Sequence, residues 1–337
     1  MDKPLWVAVL WLVAQAAMGQ TPPSGTIRST STLVVVPTLV QAGSGELVAG
    51  LQAKDFTLTD NGVEQKISLE ELEHQPVAVV VLMQTGGAGA RQFQNYRGLP
   101  AMLDHATSGS PRQVAMVTFD SRPEEASDFT DDVDDLKQDL THPSPGDGGA
   151  AILDAVNYGI DLLDRQPAGT RRVLILLSQA HDDGSKARAE EVVDRLGETN
   201  TTICSVTFSP EKTWLKDQLT GAQERQENAP YEFSPGIVLL HTFNLDGPAR
   251  IALRAMRENT AAAIATLSGG ESLGFDNRGD LDRQLSVLAN HIPNRYTLTF
   301  RPTSNEPGLH TIRVQVPHQP ATVTVKARES YWATGPN

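Results

Sequence analysis

Val77-Ala78-Val79-Val80-Val81-Leu82-Met83 runs directly into Gln84-Thr85-Gly86-Gly87-Ala88. An unbroken apolar run has no polar face to turn towards water, so it reads as a strand buried on both sides of a parallel sheet. The small residues after it mark the strand's C-terminal end, which is where open parallel sheets place their ligand sites.

Working outward, apolar runs and helical patterns alternate. Further strands are predicted at 114–119, ended by Asp120, and at 173–177 and 202–208. Between the first two strands, Phe93, Tyr96, Leu99 or Leu103, and Met102 fall at helical spacing over 93–106, with Pro100 requiring a kink or a start near Gly98. Ile152, Val156, Ile160 and Leu163 share one face of a helix over 150–163, and 187–196 reads as another. The acidic run Asp128, Asp131, Asp132, Asp134 and Asp135 lacks the glycine and terminal glutamate of a calcium loop and reads as the solvated start of a helix. This order predicts an α/β fold with a doubly wound, mainly parallel sheet. From 209 to 248 the pattern is lost, as expected of an insertion or long surface loop holding one apolar run, Ile237-Val238-Leu239-Leu240. Helical spacing returns over 251–267, stopped by Gly269-Gly270, and again over 281–292.

Both ends of the chain are strand-like. Short apolar runs at 33–36, 39–40 and 47–48 precede an alternating segment, 56–59, and Asp60-Asn61-Gly62 supplies the positive-φ residues of a tight hairpin turn. Alternation recurs at 296–300, 311–316 and 322–325. Gly50-Leu51-Gln52-Ala53-Lys54-Asp55-Phe56-Thr57-Leu58-Thr59-Asp60-Asn61-Gly62 resembles the stretch that precedes the A domain in a secreted bacterial, acidobacterial-type group related to the von Willebrand factor A family. Arg295-Tyr296, Arg301-Pro302, His310-x-Ile312-Arg313-Val314 and Ala327-Arg328-x-x-Tyr331 resemble that group's C-terminal segment. The resemblance implies a Rossmann-like A domain over 73–292, inserted into a small β-sandwich built from 32–72 and 293–331, with a tail at 332–337.

In that family three loops at the C-terminal edge of the sheet hold a divalent metal that captures a partner's carboxylate. The resemblance puts the ligands of an Asp-x-Ser-x-Ser motif at Gln84, Gly86 and Ala88. It puts a threonine at Ala150, within Gly148-Gly149-Ala150-Ala151-Ile152-Leu153-Asp154-Ala155, and an aspartate at Gln179. None of the five supplies the expected group, and a hard cation needs anionic oxygen ligands, so no metal and no other cofactor is expected. The tentative partner-binding face is then Gln84, Thr85, Gly86, Gly87, Ala88, Gly148, Gly149, Ala150, Gln179, His181 and Asp182, working by shape and hydrogen bonds.

A net charge of −13 disfavours nucleic acid and anionic membranes as partners and leaves a protein partner. Apolar residues from 4 to 18, with Ala17 and Gly19 at the positions a signal peptidase reads, predict a signal peptide over 1–19 cleaved before Gln20. A linker over 20–31 follows, and the product would be secreted or periplasmic with no membrane insertion. The lone Cys204 allows no intrachain disulfide and reads as a small apolar residue of a buried strand. His181, Asp182 and Asp183 are the nearest polar cluster and would have to carry any hydrolase activity, but no nucleophile with a matching base stands beside them. The expected function is therefore non-catalytic: metal-independent protein interaction or adhesion at the cell envelope, or else a scaffold whose β-sandwich mediates assembly.

Overall fold

The computed structural model describes residues 33–70, 75–210, 247–304, 306–317 and 323–333. The predicted signal peptide, its cleavage point, the linker, most of the 209–248 insertion with its apolar run, and residues 334–337 lie outside the described residues. Four strands come first: β1 (Val34–Ala42), β2 (Thr57–Asp60), β3 (Val63–Glu64) and β4 (Ile67–Glu70). A middle set follows, β5 (Val77–Gln84), β6 (Arg112–Phe119), β7 (Arg171–Gln179), β8 (Thr202–Phe208) and β9 (Ser272–Phe275), and then β10 (Tyr296–Phe300), β11 (Gly308–Gln315), β12 (Val323–Ala327) and β13 (Ser330–Ala333). The described α-helices are α1 (Leu99–Ala106), α2 (Lys137–Thr141), α3 (Ile152–Asp164), α4 (Ala189–Glu198), α5 (Gly247–Glu258), α6 (Thr260–Leu267) and α7 (Arg278–His291).

The middle strands form one parallel sheet in the order β6-β5-β7-β8-β9. Every residue of β5 is buried, as its lack of a polar face requires. Successive side chains leave a strand on opposite faces. Val79, Val81 and Met83 accordingly join a core with α1 and α7, while Ala78, Val80 and Leu82 join one with α3 to α6. The predicted doubly wound sheet is present. The outer edge of β6 is covered by 123–130, with Val114 and Thr130 exchanging backbone hydrogen bonds, which removes an open strand edge from water.

Four local expectations are corrected. Residues 87–98 form a 3-10 helix and the α-helix begins only at Leu99. Arg91, Gln94 and Arg97 are exposed at every third position, which suits three residues per turn, and Pro100 falls in the first turn, where its missing N–H costs nothing. The acidic helix starts late: Asp132 accepts from the Asp134 N–H at 3.0 Å, giving a 3-10 turn at Val133–Leu136 and then α2. The helix expected over 251–267 is two, broken at extended Asn259, whose side chain accepts from the Ala262 N–H and caps α6. Strands β9 and β13 were not anticipated, each being four residues long. Gly270 makes β9 possible, because a Cβ there would lie 1.8 Å from the Ile203 carbonyl oxygen. Gly270→Ala is expected to unseat β9 from β8 and lower the thermal midpoint, measured by circular dichroism.

The flanking strands form two antiparallel sheets, β12-β1-β10-β4 and β13-β11-β2-β3. Val36, Leu58, Phe300, Ile312 and Tyr331 share the core between them. The hairpin turn is as read, with Asn61 at φ 47 and Gly62 at φ 84. The flanking motifs also meet in space: Asp60 accepts from the Tyr331 hydroxyl at 2.7 Å and is 2.8 Å from His310 Nδ1.

Two buried polar groups tie these sheets to the parallel layer. The Arg328 guanidinium donates to the carbonyls of Ser330, Val35, Leu196 and Gly197 and to Asn200 Oδ1, so it also closes the C-terminal end of α4. The Glu271 carboxylate is met by His291 Nδ1 at 2.8 Å, Arg295 at 3.1 Å and Lys326 at 3.1 Å. Nearby Cys204 is fully buried, and burial pushes its thiol up to about 11, which suits packing rather than reactivity.

Candidate functional site

The loops after β5, β6 and β7 and the 143–150 loop meet at the C-terminal edge of the sheet. Gln84 ends β5 with no exposed surface. Its Oε1 accepts the Gln179 backbone N–H at 2.8 Å, and its Nε2 donates to the Gly86 carbonyl at 3.0 Å and to Gln179 Oε1 at 3.3 Å. Gln179, ending β7, donates its own Nε2 to the His181 carbonyl at 2.8 Å. Two carboxylates in these places would repel each other unless a cation lay between them. Two amides instead donate and accept in turn, so the position is satisfied by protein atoms alone.

The other tentative positions fill the remaining space. At Gly86 a Cβ would lie 2.2 Å from the Gly149 carbonyl oxygen and 2.8 Å from Asp120 Cβ, so the backbone packing excludes a serine there. Thr85 is buried and turned inward, its hydroxyl donating to the Phe119 carbonyl at 3.2 Å. Ala88 packs against the core on the α1 side. Ala150 is buried and exchanges two 2.9 Å backbone hydrogen bonds with Asp183, joining two loops. Gly87 and Gly148 are exposed and Gly149 is half-buried. The oxygens present do not fit a hard divalent cation, and among the described residues no group of three His, Cys, Asp or Glu side chains is placed to hold a metal.

The polar cluster at 181–183 does not converge. His181 is exposed. Asp182 turns inward, accepting from the Leu153 N–H at 3.0 Å and the Ser185 hydroxyl at 2.6 Å, where it caps the first turn of α3. Asp154 answers from α3 by accepting from the N–H groups of Lys186 and Ala187.

Two carboxylates not singled out in the sequence organise the rim. Asp120 Oδ2 accepts the Asp147 N–H at 3.0 Å. Asp147 accepts from the N–H groups of Ser121 and Gly149 and from the Ser121 hydroxyl. The Ser121 hydroxyl and then the Gly149 N–H hold the Asp147 carboxyl below the usual range. The Gly87 N–H donates to the Asp147 carbonyl at 2.7 Å, so the 143–150 loop is fastened over the first. Placement after β6 and within Pro145-Gly146-Asp147-Gly148-Gly149 was the only signal for this pair. Gln84→Leu, which strands the Gln179 N–H, is expected to cost about 2 kcal/mol, read from urea unfolding.

The von Willebrand factor type A domain profile matches residues 79–229. No curated protein sequence matches the chain. Among solved structures, an aerotolerance-related membrane protein from Bacteroides fragilis carrying multiple mutations to serine is 14% identical, covering 64% of this chain and 98% of its own, with a TM-score of 0.40. The conserved hypothetical protein BatB from Bacteroides thetaiotaomicron is 17% identical, covering 64% and 99%, with a TM-score of 0.39. The PilB minor pilin from Streptococcus sanguinis is 11% identical, covering 67% and 63%, with a TM-score of 0.42. The profile match runs from within β5 through β8 and takes in the loops after β5, β6 and β7, so residues 79–229 are similar to the von Willebrand factor type A domain.

Proposed function

We propose that this chain is an exported, non-catalytic protein that binds a protein partner at the cell envelope through the apex loops of its A domain, without a metal. The A domain would span 73–292, inserted between the two halves of the sandwich, 32–72 and 293–331. The observation that carries the reading is the Gln84–Gln179 amide pair, which supports a contact surface of backbone edges and hydrogen-bonding groups in place of a cation. The partner would meet Gly87, Gly148 and His181, which are exposed. Among the described residues no helix is long and apolar enough to cross a membrane. The test is capture of partners from an envelope extract on the immobilised protein, with magnesium or with EDTA. Equal capture in both buffers, reduced by His181→Ala together with Gly148→Trp, is expected. Capture lost in EDTA overturns the metal-free reading.

A further inference from the structure

Helices α4 and α5 cover the same side of the parallel sheet: Val192, Val193 and Leu196 of one and Ala252 and Met256 of the other lie in one core cluster. Their outward faces carry opposite charge. On α4, Glu190, Asp194 and Glu198 recur at four-residue intervals, with Glu190 and Glu198 exposed and Asp194 half-buried. On α5, Arg250, Arg254 and Arg257 follow at intervals of four and three, all exposed. Like charges at such spacings destabilise a helix, and the strain registers at Asp194, whose carboxyl is raised by burial and by Glu190. The ion pairs these helices make lie within each helix or its cap, Arg188 with Glu191 and Arg254 with Glu258, or run from Arg195 to α3. Among the described residues no ion pair joins α4 to α5.

An acidic row beside a basic row is complementary to itself after a half-turn. In a two-fold pair the same patch serves both copies, so the acidic row of each meets the basic row of the other. We propose that this face is the contact between two copies of this chain, a two-fold dimer in which Glu190, Asp194 and Glu198 of each copy pair with Arg250, Arg254 and Arg257 of its partner. The net charge of −13 opposes association at long range. At about 0.15 M salt that repulsion is screened beyond roughly 8 Å, while pairs in contact persist.

Sedimentation velocity on the full chain tests this, at roughly 0.2 mM protein because exposed ion pairs give weak affinity. The wild type is expected to sediment as a dimer in about 0.1 M salt and as a monomer in about 1 M, where screening reaches contact distances. Arg250→Glu/Arg257→Glu and Glu190→Arg/Glu198→Arg are each expected to be monomeric alone, since both halves of the contact then repel. An equimolar mixture of the two variants restores attraction in both halves and is expected to form a dimer with one copy of each, which also shows that both variants are folded. A wild type monomeric at both salts, a variant that dimerises alone as the wild type does, or a mixture that stays monomeric overturns the proposal. So does a monomeric wild type that binds phosphatidylglycerol vesicles through the arginine row.

Discussion

Replacing Arg328 with alanine is expected to cost on the order of 4 kcal/mol, because several buried acceptors lose their donor at once and each buried unsatisfied group costs about 1–3 kcal/mol. The side chain is 3% exposed and all of its nitrogens donate. Burial lowers its ionisation to about 10, so it is charged at neutral pH, and its charge faces carbonyl oxygens rather than a carboxylate. The planar fork reaches β1, α4 and β13 together, which a lysine's compact ammonium does not. Arg328→Lys should therefore recover only a small part of the loss, and Arg328→Met, which keeps most of the volume, should recover little more. Thermal melts check this. The alanine variant is expected roughly 10 °C below the wild type, using the usual scaling for large domains. A shift of a degree or two would mean that water replaces the guanidinium at little cost.

Glu271→Gln is the second large effect, and its pH dependence distinguishes it from a packing defect. Burial works against ionisation of Glu271, but the His291 hydrogen bond and the charges of Arg295 and Lys326 outweigh it and hold the carboxyl down at about 2, against an ordinary 4.5. A carboxyl lowered on folding stabilises the protein fully above its unfolded value. That contribution is lost as pH falls from 4.5 towards 2, and amounts to about 3 kcal/mol. The amide keeps the shape and removes the charge, leaving buried Arg295 uncompensated, which typically costs about 3–5 kcal/mol. Urea unfolding of wild type and variant should differ most near pH 7 and converge as pH falls towards 2. A difference that is constant with pH would locate the defect in packing instead.

The legible parts of this fold were those in which a residue's own neighbours in sequence carry the information. The strand at 77–84 has no polar face, and the Asn61-Gly62 turn states its dihedral angles through residue type. The break between α5 and α6 was hidden because Asn259, lacking the force of a proline or glycine, ends one helix only by capping the next. β9 was hidden because four residues containing Gly274 carry no period, and the strand exists through its pairing with β8. At the apex the positions of Gln84 and Gln179 were readable one by one. Their mutual hydrogen bond was not, since it joins the ends of two strands that only the sheet brings together. Asp182 read as part of the partner-binding face because nothing in 178–187 shows that Leu153 offers it an N–H.

The pairing of β1 also sets an order of events as the chain is made. Val34 lies opposite Phe300 and Thr38 opposite Ala327, so the first described strand waits for the last ones before most of its length is paired, only its end at 40–42 being held by the nearby 46–48 stretch. The parallel layer, whose pairings begin and end between Val77 and Phe275, can close in the meantime. Until β10 and β12 arrive, Val34 and Val36 stand in an unpaired apolar stretch, which is where self-association during synthesis would begin.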